Sequence, residues 1–189
     1  MKKLIRIHHI NKHSRVNGPG VRVVVWTQGC SLRCPGCFNE DTHLVGQESL
    51  LCDPTLLGKE LSLLNVDGLT ISGGEPLDQP DYVLELIKAF RSGNSGTVLL
   101  YTGYKIDSIL KNKRKYKVIM ECDAVIAGPY MQNSTDIWNG KRLILITDRI
   151  LPEELSPQRK IEITFDQEQR LHVSGFPTHE VNKMLNRLL

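Results

Sequence analysis

The chain has 189 residues, of which 40% are apolar and 24% are charged, so it is long enough to form a globular domain with a buried core. Its net charge of +3 is too small to indicate a nucleic-acid partner. The apolar runs are only about four residues long, as at 23–26 and 143–146, which excludes a signal-peptide core and a membrane-spanning helix. We therefore predict a cytoplasmic protein with no membrane partner.

Strand-like segments alternate with helical ones along most of the chain, and this alternation predicts an α/β fold. Strands are predicted at 4–10, 21–27, 68–72, 97–101, 124–127 and 141–147. Helices are predicted to begin at Asp53-Pro54, at Pro80 and at Ile106, where capping residues or prolines precede apolar residues at helical spacing. Segment 133–140 is predicted to be a polar loop.

The last forty residues have a different pattern. Segments 160–165 and 170–173 alternate apolar and polar residues on either side of a four-residue polar turn, which indicates a β-hairpin. Segment 178–189 then carries Val181, Met184, Leu185 and Leu188 at helical spacing. We predict a core over residues 1–150 and a C-terminal hairpin-helix extension over 151–189, packed on the core.

Three cysteines, Cys30, Cys34 and Cys37, lie within one eight-residue loop. In a reducing compartment such a group is more often a metal or catalytic site than a set of disulfides, and thiolates select zinc, copper(I) or iron–sulfur clusters. An iron–sulfur cube usually takes four thiolates. A triplet with no fourth cysteine nearby therefore predicts a cluster with one iron open to a substrate or cofactor. The remaining cysteines, Cys52 and Cys122, are predicted to be buried structural thiols.

A zinc site is the alternative interpretation of the triplet, and it requires a fourth ligand. The candidate ligands are His8, His9, His13 and His43.

The other distinctive motifs also follow predicted strands. They are Gly73-Gly74-Glu75-Pro76, Thr102-Gly103-Tyr104 and Gly128-Pro129-Tyr130. Because ligands bind at the carboxyl ends of parallel strands, one edge is expected to gather thiolates, a glycine turn and a carboxylate. Two glycines let a backbone approach a ligand closely, and Glu75 could accept hydrogen bonds from an ammonium group. Alone, this motif is equally compatible with a plain strand-to-helix turn.

Two further segments have ordinary explanations. Asn17-Gly18-Pro19-Gly20 is typical of a turn. The basic stretch 111–117 could dock an acidic electron carrier or another protein, or it could be a solvated helix end whose cations favour the C-terminal dipole.

The spacing Cys30-x-x-x-Cys34-x-x-Cys37, followed by Gly73-Gly74-Glu75-Pro76, resembles the radical S-adenosylmethionine superfamily. Segments 16–22, 27–30 and 34–39 resemble, more narrowly, the activating proteins of anaerobic ribonucleotide reductases. Segments 101–107 and 137–140 extend this similarity, which covers about residues 14–140.

The resemblance implies an open, partial (βα)6-type barrel that holds a 4Fe–4S cluster on Cys30, Cys34 and Cys37. It also implies that S-adenosylmethionine binds the fourth iron and is cleaved, after one electron arrives from flavodoxin or ferredoxin, to a 5′-deoxyadenosyl radical. The implied substrate is a glycine of a glycyl radical enzyme similar to anaerobic ribonucleotide reductase. The implied cofactor-binding residues are Gly36, Phe38, Gly73, Gly74, Glu75, Tyr101 and Thr102.

The chain departs from the activase pattern at Ile126-Ala127-Gly128 and after Gly140, and it has the extension 151–189. These departures motivate a second hypothesis, in which the same chemistry acts on a small molecule or a ribosomal peptide. A third hypothesis is a zinc-stabilised binding module that uses the basic stretch.

Overall fold

The computed structural model describes residues 4–37, 39–46, 49–132, 138–155, 161–165 and 171–176, together with residues 181 and 184. Its strands are β1 (Ile5–Ser14), β2 (Arg22–Thr27), β3 (Leu50–Cys52), β4 (Gly68–Gly73), β5 (Thr97–Thr102), β6 (Ala124–Ala127), β7 (Arg142–Leu145), β8 (Ile161–Phe165) and β9 (Leu171–Gly175). Its α-helices are α1 (Pro54–Ser62), α2 (Pro80–Arg91), α3 (Ile106–Leu110) and α4 (Lys113–Ile119).

Strands β1 to β7 form one sheet in the order β3-β1-β2-β4-β5-β6-β7. The central pairs β2–β4, β4–β5 and β5–β6 are parallel, whereas β1, β3 and β7 join the sheet antiparallel. The predicted α/β class is thus confirmed, with four parallel strands in the described part of the chain. Strand β3 was not predicted, because three mostly exposed residues carry no alternating pattern.

The predicted helix starts are confirmed. Asp53 caps α1 by accepting hydrogen bonds from the backbone N–H groups of Thr55 and Leu56, both at 3.0 Å. Helix α2 begins at Pro80 and buries Val83, Ile87 and Phe90 completely. The third predicted helix ends at Leu110, and α4 starts anew because the Asn112 side chain accepts from the N–H groups of Arg114 and Lys115.

The helices pack on one face of the sheet, which we call the helix-covered face. Its core contains strand residues Val23, Val25, Leu69, Ile71, Val98 and Leu100 and helix residues Leu57, Leu61, Leu86, Ile87 and Phe90. The other face, here the inner face, has a smaller cluster formed by Leu99, Ala124, Ile126, Ile150 and Leu155. The sheet is therefore packed on both faces, as expected for parallel strands.

Strands β8 and β9 form the predicted antiparallel hairpin. It approaches the inner side of the sheet, where the Asn11 amide donates to Glu162 Oε2 at 3.5 Å and the Phe176 ring lies 6.0 Å from that of Tyr101. The predicted helix 178–189 falls largely outside the described residues, of which Val181 and Met184 are helical. Segment 133–137 of the predicted loop also lies outside them, and the division at residue 150 stays a prediction. No helix in the described part of the chain is long and apolar enough to span a membrane.

Candidate iron–sulfur and S-adenosylmethionine site

The carboxyl ends of β2, β4, β5 and β6 meet at one edge of the sheet because these strands are parallel. The cysteine loop follows β2, Glu75 follows β4, Gly103 follows β5 and Gly128 follows β6. These motifs therefore lie together at one edge of the sheet, as predicted. Strand β7 runs antiparallel and pairs Arg142 with Ala127, so its first residues reach the same edge.

The cysteine loop presents Cys30, Cys34 and Cys37 as free, half-buried thiols. The Cys37 N–H donates to the Cys34 carbonyl at 3.2 Å, and Gly36 adopts a φ of 65°, so the loop doubles back on itself. Burial raises the pKa of the Cys30 and Cys37 thiols, while backbone hydrogen bonds to the sulfurs oppose that rise. Each thiol becomes a ligand only as the thiolate, so metal binding at this loop must release protons.

The donor set fits a cluster better than a single ion. Among the described residues, no group of three or more His, Cys, Asp or Glu side chains is arranged to hold one metal ion. A cube distributes its thiolates over different irons, so its cysteines need not converge on one point. The zinc alternative gains no fourth ligand here, and His8 Nδ1 lies 2.8 Å from Gln28 Oε1. Cys122 is buried, as predicted, whereas Cys52 is only half-buried where it packs against the helix-covered core.

The Gly73-Gly74 turn binds the cysteine loop through its backbone. The Gly74 N–H donates to Thr27 O at 2.9 Å, and the Glu75 N–H donates to Gly29 O at 2.9 Å. Gly73 has a φ of +108°, and a Cβ on Gly74 would overlap the Gly29 carbonyl oxygen and lie 2.9 Å from Thr42 O. Both glycines are therefore required for the two backbones to approach this closely.

We expect Gly74→Ala to lower the free energy of unfolding by about 2 kcal/mol or more, because backbone rather than a flexible side chain blocks the new methyl group. The substitution should also lower the iron content after reconstitution, because the backbone that it displaces, at Gly29, leads directly into Cys30. Urea denaturation and iron analysis would measure the two effects. Gly46→Ala is the matched control, because a Cβ there meets nothing within 4 Å. Equal stability and iron content in the two variants would contradict the prediction.

Glu75 has no exposed surface, and its carboxylate accepts three hydrogen bonds from the protein. Oε1 accepts from the Thr102 hydroxyl at 2.7 Å and from the Leu77 N–H at 2.8 Å, and Oε2 accepts from the Gly103 N–H at 2.8 Å. Burial raises the pKa of Glu75 to about 7, against the lowering effect of these hydrogen bonds. A carboxylate has about four acceptor positions, so these three hydrogen bonds use most of the capacity of Glu75.

The raised pKa of Glu75 predicts a pH dependence of stability. The folded carboxyl retains a proton that the unfolded chain loses above its ordinary pKa of 4.5. This contribution is fully present below pH 4.5 and is lost as the pH rises through about 7. We expect the unfolding free energy of the wild type, relative to Glu75→Gln, to fall across that interval by at most about 1.4 kcal/mol per pH unit.

Urea denaturation of the metal-free chain at several pH values between 4 and 8 would measure this difference. Glu153→Gln, at an exposed position, is the control and should show no such trend. A difference that is flat with pH, or rises with it, would contradict the prediction.

A second carboxylate, Asp78, connects the cysteine loop to the turn after β5. Asp78 Oδ2 accepts from the Ser31 N–H at 2.7 Å, and Oδ1 accepts from the Ser31 and Tyr104 hydroxyls at 3.0 and 2.7 Å. The Ser31 and Tyr104 hydroxyl oxygens lie 3.1 Å apart. This network was not predicted, because its residues are far apart in the sequence and form no local motif.

Lys141 is a further residue that the sequence pattern did not indicate. Its Nζ donates to the Gly128 carbonyl at 2.9 Å, at the edge that carries the other motifs. Burial lowers the pKa of Lys141. Negative charge on Glu75, Cys34 and Cys37 has the opposite effect and raises this pKa. The ammonium group is thus within electrostatic reach of both the cysteine loop and the carboxylate.

The remaining predicted site residues do not all lie at the site. Thr102 joins the Glu75 network, whereas Tyr101, the preceding residue of β5, packs on the inner face with its ring 6.4 Å from Trp138. Burial strongly raises the pKa of Tyr101. Gly36 faces the Gln132 side chain. Phe38 lies outside the described residues, so its predicted role stays a prediction.

Comparison with known proteins agrees with this geometry. Residues 16–144 match a protein family described as "4Fe-4S single cluster domain", which is more than half of the chain. The chain therefore belongs to this family of radical S-adenosylmethionine 4Fe–4S domains.

The curated relatives are named as activating enzymes. The pyruvate formate-lyase-activating enzyme of Clostridium pasteurianum is 37% identical over 116 residues, which are 57% of this chain and 48% of that protein. The anaerobic ribonucleoside-triphosphate reductase-activating protein of Escherichia coli K12 is 32% identical over 136 residues, 66% of this chain and 86% of that protein. Its counterpart in Enterobacteria phage T4 is 31% identical over 134 residues, 66% of this chain and 82% of that protein. The chain spans about half the length of the pyruvate formate-lyase-activating enzymes that it matches.

Proposed function

We propose that this protein generates a glycyl radical on a partner enzyme similar to anaerobic ribonucleotide reductase, using a 4Fe–4S cluster and S-adenosylmethionine. The observation that carries this proposal is the meeting of three free thiols with the buried Glu75 network at one strand edge. When bound, the cluster and S-adenosylmethionine would supply reductive carbon–sulfur cleavage and the removal of a hydrogen atom from a substrate carbon. The protein's contribution is orientation, electrostatics and exclusion of water and oxygen.

In this proposal Cys30, Cys34 and Cys37 would each bind one iron, and the cysteine loop and the ends of β4 and β5 would hold the methionine part of S-adenosylmethionine. The backbone of Gly73 and Gly74 supports the ammonium side of the cofactor. Glu75 stabilises that ammonium group mainly by its charge, because most of its acceptor positions already hold Thr102, Leu77 and Gly103.

Lys141 supplies the opposite charge at the same edge. An ammonium group there would attract the carboxylate of the methionine part, so that Lys141 and Glu75 orient the two ends of one zwitterion. Gly36 would offer backbone contact to the adenosyl group.

The sheet is proposed to be the open, partial barrel of the radical S-adenosylmethionine enzymes, with residues 151–189 as an appended unit. Four parallel strands with antiparallel neighbours leave the structure short of a closed barrel, and a lateral opening suits a protein loop as substrate. A reduced flavodoxin or ferredoxin is the proposed electron donor.

The test is anaerobic reconstitution with iron, sulfide, dithionite and S-adenosylmethionine, followed by addition of candidate glycyl radical enzymes. We expect 5′-deoxyadenosine in the absence of a partner and a glycyl radical, detected by electron paramagnetic resonance, with the correct one. A partner whose radical glycine is replaced by alanine is the control. Cofactor cleavage without a glycyl radical in any candidate partner would reject the activase function while retaining the cluster chemistry.

One observation favours a second candidate function, in which the radical acts on a small molecule or a ribosomal peptide. The C-terminal segment places Phe176 against Tyr101 and Trp138 on the inner face, at ring separations of 6.0 and 6.5 Å. This aromatic group covers part of the inner face beside β5, which favours a smaller substrate than a folded enzyme. Formation of 5′-deoxyadenosine in step with modification of a peptide or metabolite would support this candidate.

A further inference from the structure

A strongly basic surface lies outside the proposed site. Between residues 105 and 117 the sequence contains six Lys or Arg residues and one Asp, whereas the whole chain has an excess of only three positive charges. We define the basic surface by Lys111, Lys113, Arg114, Lys115 and Lys117. Exposed apolar side chains lie among these cations: Leu110 is 55% exposed, Tyr116 41% and Met120 49%. Apolar contacts surrounded by charge are typical of protein-binding surfaces.

Local helix stability does not account for these cations. Lys113, Arg114 and Lys115 occupy the first turn of α4, where the positive end of the helix dipole makes further positive charge unfavourable. Of the three, Arg114 has a carboxylate partner, Asp81, at 3.3 Å, and both of these side chains are largely exposed. The sequence alone allowed these cations to be explained as a solvated C-terminal helix end. That explanation holds for Lys111 and Lys117, but not for the centre of the basic surface.

A series of side-chain contacts connects the basic surface to the cysteine loop. Lys115 Nζ lies 3.0 Å from the centroid of the Tyr104 ring, a cation–π contact. The Tyr104 hydroxyl donates to Asp78 and lies 3.1 Å from the Ser31 hydroxyl. Ser31 directly follows Cys30 in the chain. The surface is thus connected to the first cysteine through two side chains, the half-buried Tyr104 and the exposed Ser31.

The basic surface also lies on the helix-covered side of the sheet. Helix α4 contributes Val118 and Ile119 to the helix-covered core, and Tyr104 packs against the same core. The inner face is lined instead by Leu99, Ile126 and Tyr101. A protein bound at the basic surface would therefore contact the helix-covered side of the molecule and not the inner-face cluster.

We propose that the basic surface docks an acidic one-electron carrier protein, which reduces the cluster through the Tyr104–Ser31 contacts. This inference rests on the proposed function, since it requires a cluster on Cys30, Cys34 and Cys37. The carrier is oxidised by one electron and the cluster is reduced by one electron, with no group transferred. Opposite charges on the two surfaces would accelerate the encounter and make it sensitive to ionic strength.

The test uses the double variant Lys113→Glu/Lys117→Glu in the full, anaerobically reconstituted chain. Arg15→Glu/Lys59→Glu is the matched control, because it makes the same charge change at exposed positions outside the basic surface. The first readout is binding of oxidised flavodoxin by calorimetry, which does not depend on activity. We expect a Kd at least tenfold weaker for the surface variant and less than threefold weaker for the control. The difference should shrink near 1 M salt, where the Debye length is about 3 Å.

The second readout is the initial rate of 5′-deoxyadenosine formation with limiting reduced flavodoxin or with dithionite. The surface variant should lose at least tenfold with flavodoxin and less than twofold with dithionite. Absence of product from the wild type with dithionite would reject the proposed function itself. Normal cleavage by the wild type, with equal flavodoxin binding and rates in both variants, would overturn the docking site alone. Loss of glycyl radical formation with dithionite, but not of flavodoxin-driven cleavage, would assign the surface to the protein substrate instead and would also overturn the proposal.

Discussion

Cys34→Ala is expected to abolish 5′-deoxyadenosine formation and to prevent assembly of a stable cluster. The wild type should bind about four irons per chain, as a cube does. Removing one of three thiolates leaves two protein ligands for a cluster that already lacks a fourth, and no other cysteine can replace the lost one. Cys52 packs against the helix-covered core, and Cys122 is buried with its Sγ 3.4 Å from the Val118 carbonyl.

The measurement is iron and sulfide content together with product analysis after anaerobic reconstitution. Cys52→Ala is the matched control, because it removes a half-buried thiol outside the loop. We expect the control to retain its iron and its cleavage rate within about twofold. Thermal unfolding of both metal-free variants would establish that the Cys34 variant is folded. Cleavage at the wild-type rate by Cys34→Ala would reject the cluster assignment and the mechanism built on it.

Arg22→Ala is expected to give the largest loss of stability, about 3–5 kcal/mol in the free energy of unfolding. Arg22 is completely buried at the start of β2 on the inner face, and all five of its N–H donors are used. Nε donates to the Thr70 hydroxyl at 2.7 Å, and the other four N–H groups donate to the Pro19, Leu69 and Thr97 carbonyls and the Thr97 hydroxyl. Alanine would leave buried carbonyl groups without a donor and open a cavity where the guanidinium group lies.

Urea denaturation of the metal-free chain would measure this loss, with Arg15→Ala at an exposed position as the control. The control should remain within about 0.5 kcal/mol of the wild type. Arg22→Lys should lose much of the same stability, because an ammonium group cannot reproduce the planar set of five donors. Burial lowers the pKa of Arg22 to about 10, so the side chain stays charged at neutral pH. A loss below 1 kcal/mol for Arg22→Ala would contradict the prediction.

The Arg22 network also accounts for a motif that the sequence alone explained as an ordinary turn. Arg22 donates to the Pro19 carbonyl, and the Thr70 hydroxyl that accepts from Arg22 donates in turn to Asn17 O at 2.8 Å. Segment 17–20 is thus fixed to the inner face of the sheet. Its role is to close the end of the sheet that lies opposite the cysteine loop, which explains why it contributes no ligand to the site.

The sequence by itself determined the features that depend on residues close together in the chain. The three cysteines share one loop whatever the fold, and the Asp53-Pro54 and Pro80 starts act within a single helical turn. The buried strands were predictable because near-continuous β-branched and aromatic runs, such as the one within 22–27, are favourable only where both faces are covered. Parallel pairing of those strands then required the motifs at their carboxyl ends to share one edge.

The tertiary structure decided the contacts between residues that no local pattern relates. Ser31 and Asp78 are 47 positions apart and Asp78 and Tyr104 are 26 apart, yet the three residues meet. Lys141 reaches the site from the position just before the antiparallel strand β7. Only the packing of α4 placed Lys115 over Tyr104, which linked the basic stretch to the cysteine loop. The physical reason is that buried hydrogen bonds and charge pairs depend on how the strands and helices pack. Hydrophobic periodicity specifies which face of each element is buried, and not which polar side chains meet at its ends.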